Sequence, residues 1–169
     1  LKRIAFKHPY WFALILLLVT VGINFYFQPN LFELRILSGN LRIFLPLMIL
    51  AAGQTAVIIG GGIDLSVGAM VSMNVAILVT LITKDSTMEQ ILLGIAASLA
   101  AGMLAGALNG FCVSYLRLQP IVTTYATSFL YAGIALWVLP RPGGLLPSDL
   151  TKLYRANPLG IPLAIWVAV

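Results

Sequence analysis

Five stretches of this chain carry no charged residue, and each is long enough to approach or complete a bilayer crossing: Tyr10–Phe27, Ile43–Ile59, Val67–Thr83, Ile91–Tyr115 and Ile121–Leu139. The eighteen residues of the first reach about 27 Å as a helix, close to the ~30 Å hydrocarbon core of a membrane. Of the 169 residues, 60% are apolar and only 9% charged, whereas a soluble domain has about 45–50% and about 25%. A chain this short exposes so much surface that its polar share should be larger, not smaller. A water-soluble globular fold is excluded. Disorder, collagen and disulfide scaffolds are excluded too, since they require high charge, periodic glycine or many cysteines. The single Cys112 lies inside an apolar run and reads as a small buried hydrophobe. The fold class expected is all-α, a polytopic transmembrane helix bundle of about five spans plus the start of a sixth, forming one domain.

The formal charge of +5 comes from ten scattered Lys and Arg, with no basic run of the kind that tracks a phosphate backbone, so nucleic acid is not a partner. Lys2, Arg3 and Lys7 precede the first stretch, which ends in Asn24-Phe25-Tyr26-Phe27 rather than in a small-residue cleavage site. A retained span with a cytoplasmic N-terminus fits better than a signal peptide. The aromatics at its two ends, Tyr10 and Trp11 opposite Phe25 to Phe27, suit the membrane interfaces. Residues 28–42, with Pro29, Glu33, Arg35 and Arg42, are expected to form a connection. Residues 140–162, rich in Pro and Gly, form an extramembrane loop with one short helix around Ser148 to Tyr154.

If every run crosses the membrane, this orientation leaves six Lys or Arg outside and four inside, against the usual cytoplasmic bias. A break within Gly60–Gly68 that does not emerge from the protein would change the parity of everything after it. The chain begins with Leu, and its last apolar run, Leu163 to Val169, is too short to span. Both ends are expected to be cut, leaving a longer chain's N-terminal half.

The segment Gly60-Gly61-Gly62-Ile63-Asp64-Leu65-Ser66-Val67-Gly68 separates two apolar runs and holds the only acid between Glu33 and Asp85. A carboxylate at membrane depth costs several kcal/mol unless paired, hydrated or capping. Gly60, Gly61, Gly62 and Gly68 free the backbone, and Asp64 and Ser66 are good N-cap residues for a helix from Val67. One reading is a glycine-rich helix break whose Asp and Ser satisfy exposed N–H groups. The other is irregular backbone lining a water-filled cavity, with Asp64 and Ser66 beside a transported molecule. Both can hold together. A proton or sodium relay is disfavoured, because such relays recruit further intramembrane acids or histidines and His8 lies in the N-terminal flank.

Small residues recur at every fourth position of the fourth run: Gly94, Ser98, Gly102, Gly106 and Gly110. That spacing makes one helix face a groove into which another helix fits closely. Asn109 sits one residue off this face, where an interhelical hydrogen bond is its expected role. Gln54 and Asn74 are further amides inside apolar runs; each suits the hydroxyls of a polyol and each suits a neighbouring carbonyl equally. The Thr123-Thr124 and Thr127-Ser128 pairs satisfy backbone at a helix start or line a passage. No enzyme constellation is visible: the chain offers no Ser/His/Asp set, no Cys/His metal cluster and no paired carboxylate in one segment. The glycine triplet lacks the Lys-Ser/Thr of a phosphate loop. Neither a cofactor nor a metal is expected.

With these residues in view, Gly61-Gly62-Ile63-Asp64-Leu65-Ser66-Val67-Gly68, preceded by Ala52-Gly53-Gln54-Thr55, resembles the signature of bacterial ABC importer permeases of the ribose/xylose/galactose (monosaccharide) type. A second segment is similar as well: Leu108-Asn109-Gly110, then Arg117-Leu118-Gln119-Pro120-Ile121-Val122-Thr123-Thr124. Gly60 before the glycine pair and Gln119 before Pro120 depart from the commoner pattern. The resemblance covers roughly residues 45–145. It implies a membrane-spanning permease subunit of the bacterial inner membrane that pairs with a second permease copy around a translocation path. It also implies cytoplasmic ATP-binding subunits, which hydrolyse ATP in its place, and a periplasmic or lipid-anchored sugar-binding protein. A permease for a nucleoside or furanosyl signalling molecule, or an ion-coupled secondary carrier, is the alternative.

Overall fold

The structure, a computed structural model, describes residues 10–30 and 33–156. These residues form six α-helices and no strand: α1 (Tyr10–Phe27), α2 (Leu34–Ile59), α3 (Val67–Leu81), α4 (Met88–Gly110), α5 (Pro120–Val138) and α6 (Ser148–Arg155). A π-helical turn, Phe111–Tyr115, extends α4. Four helical stretches are long and apolar enough to cross a membrane: Tyr10–Phe27, Ile36–Ile59, Met88–Tyr115 and Pro120–Val138. The fifth expected span, α3, has only 15 residues and reaches about 22 Å, short of the hydrocarbon core. The expected start of a sixth span, from Leu163, lies outside the described residues.

None of α1 is buried. A helix apolar on every side and long enough to cross a bilayer has the character of a membrane span. Residues 28–42 are not simply a connection. Helix α2 already begins at Leu34: Leu34-Arg35-Ile36-Leu37 are sound helix formers, Pro29 lies before them, and Gly39 is tolerated within the helix.

Pro46 sits inside α2. Lacking an N–H, it cannot bond the carbonyl of Arg42 four residues earlier. That carbonyl instead accepts from the Tyr154 hydroxyl of α6 at 2.7 Å, while Arg42 Nη2 donates to the carbonyl of Arg155 at 2.7 Å. The guanidinium thus meets the negative end of the α6 dipole. The loop helix expected around Ser148 is therefore a clasp on the proline-weakened turn of α2.

Helices α3, α4 and α5 make the packed centre. Helix α4 starts with a capping box in which Thr87 and Gln90 bond reciprocally across side chain and backbone. It runs antiparallel to α3. Gly94 takes the fully buried Ile82, whose Cγ1 would lie 2.6 Å from a Cβ at that glycine. Ser98 donates to the carbonyl of Asn74 at 3.0 Å. Met73 of α3, Ala105 of α4 and Tyr131 of α5 close the core. Since lipid removes most of the hydrophobic drive between helices, such close packing and hydrogen bonding hold them together.

Helices α2 and α3 also run antiparallel: Val57, Gln54 and Leu50 face Val67, Met70 and Val71 across a shared cavity. The Gly60–Ser66 segment is thus the turn of a helical hairpin, and chain direction reverses there. It is set back from the end of α4. Asn109 of α4 lies level with Ser66, yet α4 and its π turn run on to Tyr115, about 8 Å further by helical rise.

Candidate functional site

The turn is built by glycine first. Gly61 N–H donates to the carbonyl of Ile58 at 2.9 Å and Gly62 N–H to that of Val57 at 3.0 Å, with Gly61 at φ +80°. This is a Schellman motif, which consumes two carbonyls at the end of α2 and requires a left-handed residue. Gly62 continues close past Pro120, whose Cβ would lie 3.4 Å from a Cβ added at that glycine.

Side chains then satisfy the irregular backbone. Asp64 Oδ1 accepts from the Ser66 N–H at 2.7 Å and from the Ser66 hydroxyl at 2.6 Å. Ser66 stands at the N-cap position of α3, but its side chain makes no cap bond; it is wholly buried and turned toward Asp64. Thr124 of α5 accepts from Leu65 N–H at 3.0 Å, with its hydroxyl 2.8 Å from the carbonyl of Pro120 and 3.2 Å from that of Ile63. Gln54 Nε2 donates to the main-chain carbonyl of Asp64 at 3.1 Å. The turn is thus tied to α2 and α5 by polar side chains. Away from water, unsatisfied backbone is costly, and irregular chain survives only when its groups are paired inside protein or line a cavity.

A further chain of bonds reaches α4. Asn109 Nδ2 donates to the Ser66 hydroxyl at 2.8 Å, and the Tyr131 hydroxyl lies 3.0 Å from Asn109 Oδ1 and 2.9 Å from the carbonyl of Ala105, sharing one proton between them. Asp64, Ser66, Asn109 and Tyr131 form one connected network across three elements. Sequence reasoning does not reach Tyr131 or its bond to Asn109; a hydroxyl-bearing aromatic one helical turn after Thr127, on the face of Thr124, is the available signal. Among the described residues no group of His, Cys, Asp or Glu is placed to hold a metal.

Two of the cavities that border the turn include Asp64 in their walls. One, of about 350 Å³, is bounded by Gly60, Gly62, Gly106, Gly110, Pro120 and Thr124. The other, of about 280 Å³, lies between α2, α3 and α4 and is bounded by Gln54, Asn74 and Gly102. Val57, Asp64 and Met70 line both, so Asp64 stands on the wall between them. The small-residue face of α4 accordingly divides. A Cβ at Gly102 would lie 2.7 Å from Asn74 Nδ2, whereas at Gly106 or Gly110 it would meet nothing within 4 Å. Toward α3 the face is packed; toward the turn it is open. Gly68, just inside α3, likewise has open space before it.

Apolar spanning helices around a turn held by buried polar side chains define a polytopic membrane chain with an internal polar site. The family model described as branched-chain amino acid transport system / permease component matches residues 36–145, which contain all of this network. The chain belongs to that family. It is 31% identical over 160 residues to the ribose import permease protein RbsC of Escherichia coli (strain K12), covering 92% of this chain and 49% of the relative. It is 29% identical over 167 residues to the autoinducer 2 import system permease protein LsrD of Escherichia coli O157:H7, covering 94% and 50%. The chain spans about half the length of the curated relatives it matches. No solved structure matches it.

Proposed function

We propose that this chain is part of the permease subunit of an ATP-driven importer of a monosaccharide-sized polyol, working in a bacterial inner membrane. A solute would pass beside the Gly60–Ser66 turn, with Asp64 and Ser66 shaping the polar wall, Gln54 and Asn74 lining the adjoining cavity, and no bond of the solute made or broken. The observation that carries this is the turn itself: a carboxylate and three buried hydrogen-bonding side chains maintained between two cavities in an otherwise apolar bundle. Intramembrane polar groups of this kind are expensive and mark pathways.

The family's description speaks of amino acids, while RbsC and LsrD are named for ribose and autoinducer 2. An amino acid carries both charges and calls for ionic partners. Among the described residues, the only ionisable side chain on either cavity wall is Asp64, so no cation faces a substrate carboxylate. The cavities otherwise offer amides and hydroxyls, which favour an uncharged polyol. The LsrD likeness keeps a furanosyl signalling molecule as the second reading.

Partners belong to the same proposal: a second permease copy completing the path, two ATP-binding subunits, a sugar-delivering binding protein and surrounding lipid. Uptake of labelled pentoses and hexoses by vesicles holding the full-length permease, ATPase and binding protein tests it. Uptake of one sugar, lost without the ATPase, is expected; uptake that ignores ATP and follows a proton or sodium gradient would overturn it.

A further inference from the structure

Two buried side-chain oxygens on the smaller cavity have no hydrogen-bond partner among the described residues: Gln54 Oε1 and Asn74 Oδ1. Native proteins rarely leave such acceptors unpaired, and each instance calls for an explanation. Gln54 is held in one orientation. Gln54 Nε2 is held by the carbonyl of Asp64, which fixes the opposite orientation of Oε1. Asn74 Nδ2 stands in the space that a side chain at Gly102 would take, 2.7 Å from where its Cβ would lie. Glycine at 102 is what leaves room for that amide.

We propose that the cavity between α2, α3 and α4 is a binding pocket for one polyol, whose hydroxyl groups donate to Gln54 Oε1 and Asn74 Oδ1. Drug-sized ligands occupy pockets upward of about 300 Å³, so a cavity of about 280 Å³ suits a solute of monosaccharide size. Both waiting atoms are acceptors, which selects a ligand rich in O–H donors over a carboxylate. Leu50, Val57, Met70 and Val71 supply the apolar remainder of the wall, suited to the C–H face of a sugar ring. The pocket lies within one chain, with side chains from α2 and α3 facing each other across the hairpin, so closing or opening that hairpin would alter its affinity. The ligand class rests on the import reading above; the unpaired oxygens do not.

The test uses the full-length permease in nanodiscs, without ATPase or binding protein, in a cysteine-free background that includes Cys112→Ala. Cys112 borders a different cavity. A Val71→Cys reporter in the pocket wall is labelled with a small neutral methanethiosulfonate, with D-ribose, tetrahydrofurfuryl alcohol or L-leucine as protectant. D-ribose is expected to slow labelling and the hydroxyl-poor ring to do so poorly. Gln54→Leu and Asn74→Leu should each raise the half-protecting ribose concentration about tenfold, the effect of one lost hydrogen bond. Asn74→Asp, which keeps an acceptor, should retain protection and serves if Asn74→Leu does not assemble. Absence of ribose protection, protection undiminished in Gln54→Leu, or protection by L-leucine alone would overturn the pocket. ATP-driven sugar uptake without ribose protection overturns the pocket and leaves the import reading; protection without ATP-driven uptake does the reverse.

Discussion

Asn109 donates its side-chain amide to the hydroxyl of Ser66 across 2.8 Å, although 43 residues separate them in sequence. Both are buried, and the Ser66 hydroxyl donates in turn to Asp64. Helix α4 is thereby fastened to the turn between α2 and α3 by a side chain rather than by apolar contact. Ser66→Ala leaves the Asn109 amide without its acceptor, at a cost of about 1–3 kcal/mol. The variant is expected to lower the thermal midpoint of the full-length protein in detergent. Adding Asn109→Leu to it should cost less than the sum of the two single changes, since they share one bond. Strict additivity would mean that the bond contributes nothing.

Gly61 is the left-handed residue of the Schellman turn, at φ +80° and with nothing within 4 Å of a Cβ added there. Gly61→Ala therefore meets no clash and suffers only the backbone penalty, about 1 kcal/mol. Gly61→Asn should cost less, because asparagine tolerates that conformation. Equal thermal midpoints for wild type, Ala and Asn variants would show that the turn does not hold this geometry in the membrane.

Tyr154→Phe tests the clasp on α2. Without the hydroxyl, the Arg42 carbonyl released by Pro46 loses its bond to α6. Protease cleavage within residues 140–156 is expected to accelerate in the variant. Unchanged cleavage in Tyr154→Phe would detach α6 from that role.

The α4 glycines should part company on substitution. Gly102→Leu drives carbon into Asn74 and is expected to break the α3–α4 contact and lose monodisperse protein. Gly106→Leu faces the 350 Å³ cavity with open space before it. It should leave the protein assembled while cutting uptake by filling that space. Loss of assembly in Gly106→Leu alone would reverse this assignment.

Much of the architecture is legible in the sequence because charge-free runs and helix-breaking glycines and prolines act locally. The long spans, the break at Gly60 and the loop helix near Ser148 all follow from residues adjacent in sequence. The start of α2 does not, because Arg35 and Arg42 make a helical stretch look like a connection; polar residues mark a boundary only where they also break the helix. The division of the α4 face is hidden too, since Gly102 and Gly106 have the same spacing and differ only in what stands opposite. Tyr131 escapes notice because its bonds to Asn109 and Ala105 cross between helices. Periodicity reports which face a residue occupies; it carries no information on the partner it meets there.

The central claim is that the turn around Asp64 borders the path of the transported solute. The most direct measurement is ATP-driven sugar uptake by the Asp64→Asn permease, full length and with its ATPase and binding protein, at matched amounts in the membrane. Asparagine keeps an oxygen to accept from Ser66, so the fold should persist while the charge is lost. The expected result is normal membrane abundance with uptake per molecule reduced by about tenfold or more, equivalent to about 1.4 kcal/mol or more in the barrier. Normal uptake per molecule, with the mutant protein instead depleted from the membrane, would make Asp64 a structural cap and contradict the account.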